Sequence, residues 1–340
     1  MSKISDDLKI AVLGGGSWGI AFSVHLCICG HKVRIWEFNK ADAALLAGTR
    51  QHQGKLPGII IPREIRIEND LHSVLDGVRI IAMAIPSHTV RQVVRSLRGD
   101  LNREVLIINL AKGLETDTLM RMSQVIIEEL GDEFRNNVMT LSGPSHAEEV
   151  SRQIPTTVTV AGDSIENLEY VQRLFTSNYF RLYTNTDLVG VELAGSLKNI
   201  IAIAAGICDG LGYGDNTKGA LLTRGLAEIT RLGLAMGAVP DTFAGLAGLG
   251  DLITTCLSRH SRNRFVGEQI GLGKNLEQVL HEMTMVAEGV RTTQAAYKLA
   301  NMYQVEMPIT IEMYSILFGG KSPREAVNDL MTRIPKPEVG

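Results

Sequence analysis

Along the first half of the chain, short runs of β-branched and other apolar residues alternate with longer stretches whose apolar positions recur at helical spacing. Ile10–Leu13, Lys32–Trp36, Ile80–Ile85, Val105–Leu110 and Val138–Leu141 are bounded runs of strand length. Nearly continuous apolar strands separated by helices predict an α/β doubly wound architecture, a parallel sheet with helices on both faces. A further extended run, Thr156–Ala161, precedes Ser164-Ile-Glu-Asn-Leu-Glu, a helix start with acidic residues in its first turn. From Leu188 onward long stretches rich in Ala, Gly, Leu and Ile show no convincing strand run. The pattern therefore predicts an N-terminal sheet domain over 1–187 and an all-α domain over 188–340. Near the end, Ser322-Pro-Arg-Glu325 has the form of a capping box with proline at the first helical position, opening a last helix through Met331.

Composition narrows the class. At 340 residues, two domains are expected, and 45% apolar with 21% charged residues is ordinary for a globular enzyme. A net charge of −3 provides no basic field for a phosphate backbone, so nucleic acid is not an expected partner. Four cysteines, Cys27, Cys29, Cys208 and Cys256, form neither a disulfide framework nor a four-ligand zinc spacing, which fits the cytoplasm. Ile10–Cys29 is apolar over about the length of a membrane span, but Gly14-Gly15-Gly16 interrupts it, so stable membrane insertion is not expected.

Those glycines open the chemistry. Gly14, Gly16 and Gly19 fit G-x-G-x-x-G between a strand run and a helix, the context in which a tight turn, close backbone approach and a helix N-terminus together bind a dinucleotide pyrophosphate. This makes the first domain Rossmann-like. Glu37 follows the second strand run, near where an acidic residue bonds the adenosine ribose, which favours NAD over NADP.

Several charged residues then stand in unusual company. Lys112 lies at the carboxyl end of a strand run, where open α/β sheets place ligands. Lys198 interrupts an apolar helical stretch with Val191, Ala194, Gly195, Ile201 and Ala202 around it, so burial is expected to lower its pKa towards the range of a general acid or base. Asn199 could bond backbone or a substrate hydroxyl. Asp251, in Ala247-Gly-Leu-Gly-Asp-Leu252, is expected to cap a helix, partner a lysine, or both. Ser258–Arg264 gathers three arginines with hydroxyl and amide donors, a cluster suited to phosphate or carboxylate or simply a solvated turn. His25, Cys27 and Cys29 read as core residues, and no metal site is assigned.

Taken in order, Gly14–Gly19, Ala84–Ser87, Ala111–Gly113, Leu141–Glu148, Val191–Ile200, Gly248–Thr255, Ser261–Arg264 and Val286–Gly289 resemble the bacterial NAD(P)-dependent glycerol-3-phosphate dehydrogenase family from Lys9 to about Arg333. The resemblance implies reversible reduction of dihydroxyacetone phosphate to sn-glycerol 3-phosphate for glycerophospholipid synthesis, by a homodimer. It implies Lys198 as proton donor and acceptor, with Lys112, Gly143, Ser145, Asp251, Ser261, Arg262 and Asn263 lining the substrate. It also implies cofactor contacts from Ser17, Trp18, Lys112, Ala147, Arg262, Val286 and Glu288. Two positions depart from the family's habit: Glu37 stands where a basic or neutral residue is frequent, and Ser145 where threonine is. A β-hydroxyacid or 6-phosphogluconate type dehydrogenase shares the same domain plan and a catalytic lysine. A catalytically silent NAD-binding sensor is the reading outside enzymes.

Overall fold

The computed structural model describes residues 8–283, 285–335 and 337–338. Eight strands form one sheet: β1 (Lys9–Leu13), β2 (Lys32–Trp36), β3 (Arg66–Glu68), β4 (Ile80–Met83), β5 (Leu106–Asn109), β6 (Val138–Ser142), β7 (Thr156–Gly162) and β8 (Phe180–Asn185). They lie in the order β3-β2-β1-β4-β5-β6-β7-β8. The first six follow the doubly wound dinucleotide order, which reverses between β1 and β4. Leu13 pairs with both Trp36 and Met83, so these three strands end level and the loops after β1 and β4 open on one crevice.

Alternation explains why the strand runs are apolar throughout. Ile10, Val12, Ile80, Ala82 and Ile108 pack into the core shared with the helix Ser17–Ile28, whereas Ala11, Leu13, Ile81, Met83 and Ile107 pack into a second core on the opposite face.

The sheet departs from expectation in two ways. It is not wholly parallel, because β7 runs antiparallel to β6. Between those strands the only helix is Ala147–Val150, a single turn too short to carry the chain back along the sheet for a parallel crossover. The strands β3 and β8 were also unanticipated, the first being only three residues with charge at both ends. The apolar stretch Ile10–Cys29 divides into β1, the glycine turn and a buried helix.

After Asn185 the described residues form helices without further strands. The central one, Leu188–Gly210, has a mean hydropathy of 1.6 over its most apolar window, 94% of which is buried inside the molecule. It crosses the helix Arg262–Gly271 at backbone contact. A Cβ at Gly206 or Gly267 would overlap the Arg264 or Ile203 carbonyl, and one at Gly210 would stand 2.8 Å from the Cα of Gly271. This glycine-to-glycine crossing fixes the Ser261–Arg262 end against the helix that carries Lys198. The last helix, Pro323–Met331, begins with the anticipated Ser322–Glu325 capping box.

Candidate active site

The glycine turn has the form its chemistry requires. Gly14 adopts φ +116°, and a Cβ there would overlap the Ala84 carbonyl at the end of β4. A Cβ at Gly19 would strike the Gly14 carbonyl, while Gly16 has open space around it. The helix Ser17–Ile28 begins at Gly16 without a side-chain cap, so its first amides face the crevice. These are observations that a dinucleotide pyrophosphate fits. Ser17 Oγ donates to the Lys55 carbonyl at 2.6 Å and lies 3.6 Å from Met285 Sδ, so the segment leading to Val286 passes over the turn. Trp18 is half-buried with its ring stacked on Phe22.

Glu37 is buried rather than a solvated strand end. One carboxylate oxygen accepts from the Gly15 amide and the other from the Asn39 amide, both at 3.0 Å. Its negative charge is thereby held directly against the turn. Each oxygen keeps a further lone pair for a ligand hydroxyl.

At the carboxyl edge of the neighbouring strands, two ammoniums meet one carboxylate. Lys198 is 4% and Asp251 2% exposed. Lys198 Nζ donates to Asp251 Oδ1 at 2.5 Å and also to Thr255 Oγ1, one helical turn beyond Asp251. Lys112 Nζ donates to Asp251 Oδ2 at 2.7 Å and to the Gly143 carbonyl at 3.1 Å. Burial lowers the Lys198 pKa to about 8; Asp251 opposes that shift and Lys112 adds to it. Burial pushes the Asp251 carboxyl up, but the two ammoniums outweigh it and hold the group below the ordinary carboxylate range.

The expected capping role of Asp251 is not observed. The helix Asp251–Leu257 starts at this residue with no side-chain cap, because it continues a wide turn, Leu246–Gly250, in which the Gly250 amide already reaches the Gly245 carbonyl. Asp251 is thus left to the lysines.

Other predicted residues gather around this triangle. Gly143, at φ +132°, presents its carbonyl to both Lys112 and Ser145 Oγ. Asn199 Nδ2 donates to the Lys112 carbonyl at 3.3 Å, and its oxygen accepts from Asn263 Nδ2 at 2.9 Å. Asn263 Oδ1 accepts from the Gly289 amide, so this amide ties two helices together. Ser261 caps the helix Arg262–Gly271, and Arg262 is exposed in its first turn, within the fields of Glu288 and Glu148. The arginine cluster itself divides: Arg264 pairs with Asp209 at 2.7 Å as part of the framework, whereas Arg259 and Arg262 are exposed. Ala147 is buried at the start of its one-turn helix.

Glu288 joins the two domains. Its carboxylate accepts from the Ser87 amide at 2.8 Å and from Ser87 Oγ at 2.5 Å, just beyond β4. Neither Ser87 nor Thr255 was singled out from the sequence. Thr255 was detectable as the residue four places after Asp251, on the same helical face.

The chain is similar to known proteins over nearly its whole length. The family model described as the NAD-dependent glycerol-3-phosphate dehydrogenase N-terminus matches residues 9–168, and that described as the C-terminus matches residues 187–328. The chain is 54% identical over 98% of its length to a glycerol-3-phosphate dehydrogenase (NAD(P)+) of Thermoanaerobacter sp., covering 99% of that protein. It is 50% identical to the protein of the same name from Chlorobium phaeobacteroides, covering 98% of this chain and 100% of that one. The crystal structure of glycerol-3-phosphate dehydrogenase from Coxiella burnetii superposes with a TM-score of 0.92 at 35% identity, covering 96% of this chain and 100% of that one. With both family models matched and a full-length relative at 54% identity, a chain with a glycine turn at the switch point of its sheet and a buried lysine–aspartate pair at the same carboxyl edge belongs to the NAD-dependent glycerol-3-phosphate dehydrogenase family.

Proposed function

We propose that this chain catalyses the reversible reduction of dihydroxyacetone phosphate to sn-glycerol 3-phosphate, the precursor of glycerophospholipids, with Lys198 donating the proton in that direction and accepting it in the other. The observation that carries this reading is the convergence of Lys198 and Lys112 on Asp251 at the carboxyl edge of the sheet that also carries the glycine turn. The nicotinamide supplies the hydride when bound; the protein must orient the ketone and move the proton.

Gly14, Gly16, Ser17, Trp18 and Gly19 would hold the dinucleotide, with Val286 and Glu288 closing over it. An ammonium has three hydrogens, and Lys198 commits two of them to Asp251 and Thr255. The third is free for the ketone oxygen. Lys112, bonded to Asp251 and the Gly143 carbonyl, has the same third hydrogen to polarise the carbonyl or to meet the phosphate. Asp251 keeps both amines positioned and charged. Arg262, with the Ser261 hydroxyl beside it, offers a planar fork to the phosphate. The four free thiols and the resemblance extend the proposal to a homodimer working in the cytoplasm.

Lys198 must be protonated for reduction and neutral for oxidation. With its pKa near 8, reduction of dihydroxyacetone phosphate falls, and oxidation of glycerol 3-phosphate rises, as pH increases through that value. Initial rates in both directions across this range test the assignment; the absence of turnover in either direction would reject it.

Glu37 extends the proposal to the cofactor. A 2′-phosphate would approach a buried like charge, so kcat/KM with NADH should exceed that with NADPH, and Glu37→Ala should narrow the gap by about tenfold or more. Equal efficiencies in the unaltered enzyme would remove this part.

A further inference from the structure

The central helix presents one stripe, Glu192, Gly195 and Asn199, to the carboxyl edge of the sheet. Glu192 is 5% exposed and collects four donors, all from the sheet domain. Oε1 accepts from the Ser123 amide at 2.8 Å and Thr140 Oγ1 at 3.2 Å; Oε2 accepts from Ser123 Oγ and Arg121 Nη1, both at 2.5 Å. Docking a helix requires no charge, and an apolar side chain would serve without the cost of desolvating a carboxylate. The donors show what the charge is attached to.

Thr140 stands beside Asn109 across the β5–β6 register, and Asn109 Nδ2 donates to its hydroxyl at 3.4 Å. Asn109 is fully buried at the end of the otherwise apolar β5. Its remaining capacity closes on its own chain: Nδ2 donates to the Ala111 carbonyl and Oδ1 accepts from the Ala111 amide, both at 3.0 Å. Both backbone groups of the residue preceding Lys112 are thus held by one side chain. On the other side of the turn, Asn199 holds the Lys112 carbonyl. Between these grips, Gly195 lets the end of β6 press against the helix, since a Cβ there would lie 2.5 Å from Ser142 Oγ.

We propose that Asn109 and Glu192 are positioning residues of the reaction: linked through Thr140, they set the Ala111–Lys112 turn at the distance from the central helix at which Lys112 and Lys198 share the two oxygens of Asp251. This inference rests on the dehydrogenase reading of that triangle. If the turn relaxes, Lys112 draws away from Asp251, and the carboxylate is left to Lys198 alone. Lys198 then holds its proton more tightly. The groups facing its ammonium are Asp251, Thr255 and Cys256 from one helix, Lys112 from the turn after β5, and His146 from the loop after β6.

The test compares Asn109→Ala, Glu192→Ala and Glu192→Gln in the full-length enzyme. Loss of register predicts kcat about 10- to 100-fold lower in both alanine variants, with KM for NADH within about twofold, because misplacement acts on the reacting geometry rather than on the dinucleotide site. It also predicts that the pH at which dihydroxyacetone phosphate reduction declines moves upward in both. Glu192→Gln keeps an acceptor for Thr140 and Ser123 and should restore most of the rate. If Glu192→Ala does not fold, Asn109→Ala decides. Alanine variants that melt earlier yet retain the wild-type kcat and pH limb would overturn the inference. An inactive wild-type enzyme would instead refute the dehydrogenase reading on which it rests.

Discussion

Lys198→Met should lower turnover by about 10³-fold while leaving NADH binding within about twofold of the unaltered enzyme. Methionine nearly fills the space of the lysine stem, so the buried helix face stays packed and the change falls on proton transfer. Lys112 remains paired with Asp251 in that variant, and nothing in the glycine turn touches the altered residue. The residual rate reflects hydride delivery to a ketone that must take its proton from water or from Lys112. Steady-state kinetics with fluorescence titration of NADH separate the two quantities. Turnover within about threefold of wild type would exclude Lys198 as the proton carrier, and lost NADH binding would show that its role is in shaping the cofactor site.

Asp251→Ala is expected to damage both activity and stability. It leaves Lys198 without a counter-charge in a site where that residue is 4% exposed, whereas Lys112, with its side chain 23% exposed, can turn towards water. Removing one member of a buried pair costs about 3–5 kcal/mol because the other charge stays desolvated. For a chain of 340 residues, each kcal/mol lowers Tm by about 1–2 °C. Lys198 escapes part of the cost by losing its proton, and a lysine with a folded pKa below its unfolded value binds fewer protons folded than unfolded. Stability therefore rises with pH up to the ordinary lysine range, so the Tm deficit of the variant should shrink in alkaline buffer. The same deprotonation removes the proton donor, and kcat for reduction at neutral pH should fall by about 10²-fold or more. Melting curves at two pH values and initial rates check both expectations; an unchanged Tm would mean that the site is wetter than its burial indicates.

The features of this site visible from sequence were those in which one residue contradicted its neighbours. A lysine amid Leu, Ala and Ile, an aspartate amid Gly and Leu, and three glycines between a strand and a helix each violate a local pattern, and a violation has a physical cause. Ser322–Glu325 was legible because a capping box is complete within four residues. Glu192 interrupts the same apolar stretch as Lys198 and gave the same kind of signal, but its partners Ser123 and Thr140 lie 69 and 52 residues away, so its purpose appears only in the fold. The antiparallel turn from β6 to β7 was hidden for a similar reason: strand runs record burial, not direction. Ser87 stood in the Ala84–Ser87 motif with no role attached, because the carboxylate it meets is 201 residues distant.

The central helix Leu188–Gly210 also bears on how the chain is made. Ribosomal synthesis delivers its apolar surface before the helices Arg262–Gly271 and Glu288–Tyr303 that cover it exist. For that interval the nascent polypeptide carries a segment with the hydropathy of a bilayer span and only the sheet domain to shelter one side of it. Glu192 and Lys198 sit inside that segment. Lys198, near the middle of this apolar helix, raises the cost of inserting it into lipid by about 2.5–3.5 kcal/mol on translocon scales. The lysine kept for proton transfer therefore also makes that uncovered helix a poorer match for lipid than its apolar neighbours alone would be.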